Sequence, residues 1–451
     1  MRALKPFLVI WTAVMFQWML ATPAASWVTT VLDKPPLQNW QHPIQGLSSS
    51  MALDAAGHAH LVHVDHTDDN VDLLRHVTNA SGAWVAENVD VSTIGIHHPD
   101  IAADAAGNLH LVYGLKGDSD LDTLVYATNR SGNWQTTQIY TDNGDFDILI
   151  QDAAIALDAA GSIHIAFTVS HLASDNFVKY TTDATPSWPI TDIDTRPTYM
   201  GCDIATDSLG KAHIIYWRKV GDALAYANNT SGGWITETID QQCEAVSASV
   251  VVDYFGHVHV AYADWHRGIK YFSNASGSPV IEVVDPYDTW WSSGGRVSLA
   301  LDGAEKAHIA YTDVSEPGIS KLRYADNITG TWITEPVDPD PAKNYQGIGI
   351  SAGPEIDISI DAAGDVHMAY HCRYGNDGHT LNDHRLKYTT SKAPFRDISG
   401  DWAFSTTDNW FAGVFGCTGD SDESGSGTIT QNGRSVSAVF NGCLLYTSDA
   451  A

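Results

Sequence analysis

The chain runs to 451 residues, carries 24 lysines and arginines against 54 aspartates and glutamates, and has a formal net charge of −30 with a pI near 4.7. So acidic a surface repels nucleic acid and anionic lipid, which excludes both as partners. Five cysteines are too few for a disulfide framework, and the length exceeds what one ordinary core supports.

The amino terminus has Arg2 and Lys5, an apolar run from Phe7 to Leu20, and then the small residues of ATPAAS. A basic start, an apolar stretch short for a bilayer and a small-residue cleavage zone read as a secretory signal peptide over residues 1–26, with an uncleaved anchor as the alternative. No later stretch is long and apolar enough to span a membrane. A secreted or periplasmic protein, monomeric and without membrane insertion after signal cleavage, is expected.

From residue 27 the chain repeats itself. The skeleton Asp, two residues, Gly, two residues, His occurs as Asp54/Gly57/His60, Asp104/Gly107/His110, Asp158/Gly161/His164, Asp207/Gly210/His213, Asp253/Gly256/His259 and Asp361/Gly364/His367. A weaker copy from Asp302 to His308 has Glu305 in place of Gly. These seven copies lie about 46 to 59 residues apart, the spacing of propeller blades. Each opens with a short strand of small and β-branched residues and turns at Asp, whose carboxylate accepts local amides while Gly supplies a positive φ. It returns in a strand with apolar atoms on both faces. A third strand follows (LLRHVTN, LVYATN, FVKYTT, LAYANN, LRYADN), then a polar turn, then a fourth strand usually opened by Trp (WVAENVD, WQTTQIY, WITETID, WITEPVD).

Four antiparallel strands that cannot bury both faces alone make a propeller blade. The expected fold of residues 27–391 is therefore an all-β, seven-bladed β-propeller of four-stranded antiparallel blades. WVTTVLD at 27–33 reads as a fourth strand without its first three, while the seventh copy has three strands and no fourth. The amino-terminal strand should close the ring as the outermost strand of blade seven, removing two open edges.

A group that recurs in every blade serves what every blade needs, so the repeat Asp and His residues are read as structural. The Asn-x-Ser/Thr sites at Asn79, Asn129, Asn229, Asn274 and Asn327 recur in one turn and are read as turn formers, with glycosylation as the formal alternative. Acidic loops at 65–72, 117–122 and 141–147 offer oxygen ligands suited to Ca²⁺, though solvated loops explain them as well and no cofactor is otherwise implied. Cys202 and Cys243 precede the fourth and fifth copies, where they either bridge neighbouring blades or stay free.

Specificity in a repeat ring should come from loops that differ between copies. Trp217 and Arg218 follow the second strand of blade four, Trp265, His266 and Arg267 that of blade five, and Tyr287, Trp290, Trp291 and Arg296 lie between blades five and six. Flat aromatics with arginine forks suit sugars bearing carboxylate or sulfate, by stacking and paired hydrogen bonds. The alternative is that the tryptophans fill gaps between blades. A second set, His371, Arg373, Tyr374, His379, His384 and Arg385, offers the base, acid and neutralising groups of a polysaccharide lyase, or metal ligands. His42, His97 and His98 are candidates to face it across the ring.

After the repeat, residues 392–442 read as short strands with Gly/Ser/Asp turns, a truncated β-rich accessory domain. The last residues, 443–451 (CLLYTSDAA), are read as a non-native, adapter-derived tail.

The Asp-x-x-Gly repeats, aromatic strands and Asn-x-Ser-Gly-x-Trp turns resemble bacterial secreted β-propellers of the BNR/Asp-box repeat type over roughly residues 27–391. The Asp-box pattern is altered here, with His for its Trp and its leading Ser mostly missing. The resemblance therefore implies architecture rather than sialidase activity. Three functions follow as expectations: a carbohydrate-binding module for an extracellular glycan or other ligand on the loop face over blades four to six; a polysaccharide-degrading lyase or glycosidase on that face; or a protein-interaction scaffold. Binding without catalysis leads.

Overall fold

The computed structural model describes residues 26–33, 49–66, 71–117, 122–141, 148–171, 175–185, 187–241, 243–264, 267–286, 296–316, 319–337, 356–374, 383–392, 400–405, 424–432, 435–440 and 443–447. The expected signal segment lies outside them, as do His42, Trp265, His266, Tyr287, Trp290, Trp291 and His379. The chain divides into two compact units, one spanning Trp27–Thr390 and one taking Met1–Ser26 together with Ser391–Ala451.

The first unit is built, among the described residues, from five four-stranded antiparallel sheets and one eight-stranded sheet, in which two blades are joined where Asn176 pairs with Thr198, so that seven groups of four strands result. Blade one comprises Ser49–Leu53, Ala59–His66, Asp72–Thr78 and Val85–Ser92, in that order outward. Blades two to six repeat the pattern from innermost strands Ile96–Ala103, Ile148–Leu157, Thr198–Thr206, Ala245–Val252 and Val297–Leu301. Blade seven runs outward through Ile356–Ile360, Val366–Tyr374 and Asp383–Lys392 to Ser26–Asp33, so the first strand in sequence is the outermost strand of the last blade. Innermost strands touch in cyclic order, and that of blade seven touches that of blade one. The unit is a closed β-propeller.

Its core lies between blades rather than in a centre. Val112, Leu124 and Tyr126 of blade two pack on Ile155, Ile165 and Phe167 of blade three. The same logic joins Met51, Leu61 and Val77 of blade one to Ala369, Leu386 and Tyr388 of blade seven. Where a Trp opens the outer strand, it clasps the preceding blade. Trp84 meets Tyr388 edge to face at 4.9 Å, Trp234 meets Tyr180 at 4.8 Å, and Trp332 meets Tyr271 at 5.0 Å. Trp27 repeats this on Tyr324 at 5.3 Å, and its Nε1 donates to Glu335.

The repeat residues form one relay per blade. In blade three Asp158 Oδ1 accepts the amides of Ala160 and Ser162, and Gly161 holds φ +80°. Its other oxygen lies 3.5 Å from His164 Nε2, whose Nδ1 bonds Tyr180 Oη at 2.7 Å in the third strand. Blade one substitutes His76 for the tyrosine, at 3.0 Å from His60. In the weak sixth copy Glu305 takes φ +59°, so the turn survives at a strain of about 1 kcal/mol. The turn asparagines are occupied as well: Asn129 Oδ1 accepts the Leu109 amide at 2.8 Å.

The second unit holds a four-stranded sheet of Gly400–Ser405, Ser424–Asn432, Ser435–Phe440 and Cys443–Thr447. Its last strand falls in the stretch that the sequence reading sets apart as a tail.

Candidate functional site

Two layers of polar side chains line the inner strands. The first stands four positions before each turn Asp: Ser50, Asp100, Asp203, Ser249, Ser298 and Asp357, with Ala154 in blade three. These oxygens stitch blade to blade. Asp357 accepts the Met51 amide at 2.9 Å, Asp100 that of Ile155 at 2.8 Å and Asp203 that of Val250 at 2.7 Å. Ser50 Oγ lies between Asp100 (2.5 Å) and Asp357 (3.1 Å). Enclosure by protein pushes Asp100 up to about 7 and Asp203 up to about 6, and raises Asp357.

The second layer stands two residues nearer the strand starts, toward the face that carries the blade-to-blade loops. Here the blades differ: His98, Asp152, Gly201, Ser247 and Arg296. His98 holds φ +49° within a bulge between His97 and Asp100. A non-glycine residue there is strained, and such strain gathers at functional sites. Its Nδ1 lies 3.8 Å from Asp152 Oδ1, with 35% of the His98 side chain and 28% of Asp152 open to water. Although a third of its side chain meets water, the protein massed around the mouth desolvates His98, and this first, then the charges of His97 and Arg296, push it down to about 3. Burial pushes Asp152 up to about 6 against the opposing pull of Arg296. Arg296 comes from blade six, on the other side of the ring from blades two and three, so its charge crosses the mouth of the channel.

His97 supports this layer. Its Nε2 lies 3.1 Å from Asp122, which also accepts the Ile150 amide. A Cβ on Gly114 would stand 2.3 Å from the His97 ring, so the glycine makes the room for it.

Among the expected site residues, Arg296 immediately precedes the inner strand of blade six, and its charge is felt by His98 and Asp152. Arg267 lies in the turn just before the third strand of blade five, Gly268–Ser273, with its side chain 52% exposed, 3.7 Å from Asp264. Trp217 is half-buried, tilted on Tyr199 at 4.3 Å, and packs in the core between blades four and five. Arg218 corrects the expectation of a free anion clamp: it is buried, with Nε on Asp194 at 2.7 Å and its other nitrogens on Thr238 and Tyr216. An arginine ending a strand beside a buried Asp is held as a counterion. In the alternative set, His371 is buried against His63 of blade one, ring to ring at 6.2 Å, while strand register pairs Arg373 with His384 and Tyr374 with Asp383.

One trio has metal-ligand spacing: oxygens of Asp240 and Asp264 and the Cys243 sulfur lie within 4.8 Å of one another. Lys270 Nζ sits between the carboxylates at 2.9 and 2.7 Å, so an ammonium already supplies the positive charge. Burial drives the Cys243 thiol well above its usual range. Cys202 and Cys243 are both free, which settles their alternatives against a bridge. In the acidic loops, Asp72 and Asp122 are bound by the Ile96 and Ile150 amides, a structural use.

The sequence matches no protein-family model and no curated protein. By structure the chain is similar to a polysaccharide lyase, an ulvan lyase bound to GlcA(1-4)Rha3S, at 11% identity and a TM-score of 0.49 over 79% of this chain and 94% of that one. It is similar to the Aleuria aurantia lectin in complex with a fucosyl-GlcNAc, at 10% identity and 0.43 over 70% and 100%. A Hadza microbial sialidase aligns at 12% identity and 0.44 over 71% and 73%. Among the described residues no helix is long and apolar enough to cross a membrane.

Proposed function

We propose that the propeller is a binding module for an acidic extracellular glycan, held on the loop face at the channel mouth. The observation that carries this reading is Arg296, just before the inner strand of blade six, whose positive charge acts on both His98 and Asp152 in a chain that is otherwise strongly acidic. A guanidinium recognises carboxylate or sulfate through paired, charge-assisted hydrogen bonds, and a concavity with low-dielectric walls strengthens that contact relative to an open surface. Arg267 adds an exposed cation on the loop face of blade five. Trp265, Trp290 and Trp291 stand close to these arginines in sequence and are the proposed stacking platforms.

The test is a panel of uronate-bearing, sulfated and neutral polysaccharides against the wild-type chain and Arg296→Ala. Acidic polymers should bind, with affinity falling as salt rises, and Arg296→Ala should lose about tenfold or more. Equal binding to neutral and acidic polymers, or an unaffected variant, would overturn the reading.

A further inference from the structure

The non-repeated layer holds more than a clamp. A binding site needs Arg296, but it does not need a strained histidine beside a carboxyl group. His98 is held at φ +49° by a bulge, braced through His97 on Gly114 and Asp122, and aimed at Asp152 across 3.8 Å. The groups that face it are His97 from its own strand, Asp152 from blade three and Arg296 from blade six. Asp100 and Asp203 lie one layer further in and are engaged with neighbouring amides.

We infer that this mouth is a β-elimination site for a 4-linked uronate polymer, with His98 as general base, Asp152 as general acid and Arg296 as the group that neutralises the substrate carboxylate. The inference rests on the reading of the mouth as an acidic-glycan site. Pairing of Arg296 with the uronate carboxylate acidifies the hydrogen on C5. His98 takes that proton, the C5–H electron pair forms the C4=C5 double bond, and the C4–O bond breaks. The leaving oxygen receives the proton of Asp152. Proton return from imidazolium to Asp152 carboxylate over the short gap between them, directly or through water, resets the pair. No oxidant, reductant or added water enters the balance.

Two environments support these roles by driving the pair apart. His98 is neutral and Asp152 retains its proton over a common range, the arrangement of a base beside an acid. The arriving carboxylate also cancels the charge of Arg296, one of the influences that holds the imidazole down, so the base strengthens when substrate binds. A glycosidase would instead place two carboxyl groups across the bond, whereas here imidazole faces a single one.

The experiment incubates the full chain with alginate, polygalacturonate and hyaluronan and follows the ultraviolet absorbance of the unsaturated uronate, with mass spectrometry of the products. His98→Asn tolerates the left-handed backbone, and Asp152→Asn keeps an oxygen for the Cys202 amide. Thermal melting confirms that both fold. Elimination should fall about a hundredfold or more in each variant while retention on the polymer persists. The alkaline limb of the wild-type pH profile should reflect a group titrating near Asp152, at about 6. Binding of a uronate polymer without unsaturated product sinks this inference alone; no binding to any acidic polymer sinks the binding reading and this one with it. Elimination that survives His98→Asn assigns the base elsewhere and overturns the proposal.

Discussion

Replacing Trp27 by alanine tests ring closure. The ring loses an edge-to-face contact with Tyr324, worth about 0.5–1.5 kcal/mol, and a hydrogen bond to Glu335, worth about 1 kcal/mol. Full burial of a Trp gives about 3–5 kcal/mol on truncation to Ala. Trp27 is only half-buried, so about 2–3 kcal/mol is expected. For a unit of this size that corresponds to a drop of roughly 3–4 °C in melting temperature. Trp134→Ala is the internal control, since Trp134 makes the same kind of contact with His76 and Glu87 inside the ring. Trp27→Ala should cost more, because no hairpin turn ties its strand to the third strand of blade seven, and its release leaves an open edge. Differential scanning calorimetry gives the stability, and hydrogen exchange gives the protection of the amides of Ser26–Asp33 and its partner strand. A Trp27→Ala protein that melts with the wild type and keeps that protection would refute closure by this strand.

His164→Ala should lower stability by about 1–3 kcal/mol, because it strips buried Tyr180 and Asp158 of a partner, and should leave glycan binding unchanged; denaturant titration and a binding assay separate the two. Stability should also peak near neutral to mildly acidic pH. Asp100, Asp152 and Asp203 have raised folded values of about 7, 6 and 6, so their contribution is present at low pH and is lost as pH rises through those values. The buried histidines His110, His164 and His213 are lowered, so theirs is present above the ordinary imidazole range and is lost as pH falls below it. Melting temperatures from pH 5 to pH 9 check this, and Asp100→Asn, which keeps its acceptor for Ile155, should reduce the fall on the alkaline side.

The architecture was legible because each blade solves the same problem with the same residues. Asp158, Gly161 and His164 announce a turn and a strand, and the amino-terminal Trp strand matches the deficit in blade seven. The Tyr partner of each His was visible as a repeated letter in strings such as LVYATN and LAYANN, but nothing local says that two strands align them. The inner belt had a signal too, since Ser50, Asp100, Asp203, Ser249, Ser298 and Asp357 form a polar column in otherwise apolar strands. It was missed because a lone polar residue in a strand reads as solvent-facing until the ring places it against the next blade. Arg218 misled for the converse reason. Its counterion Asp194 is 24 residues away, in the outer part of the preceding blade, a contact that only the assembled ring creates. Arg296 and His98 are far apart in sequence, and only closure sets them around one mouth.

A structure of the chain with a uronate-bearing oligosaccharide decides whether the channel mouth is the site, because it locates the ligand as well as detecting it. A sugar carboxylate is expected on the Arg296 guanidinium, with its ring beside His98 and Asp152 at the loop-face mouth. Ligand on the face of the Asp turns, or against His371 in blade seven with Arg296 untouched, would contradict that placement.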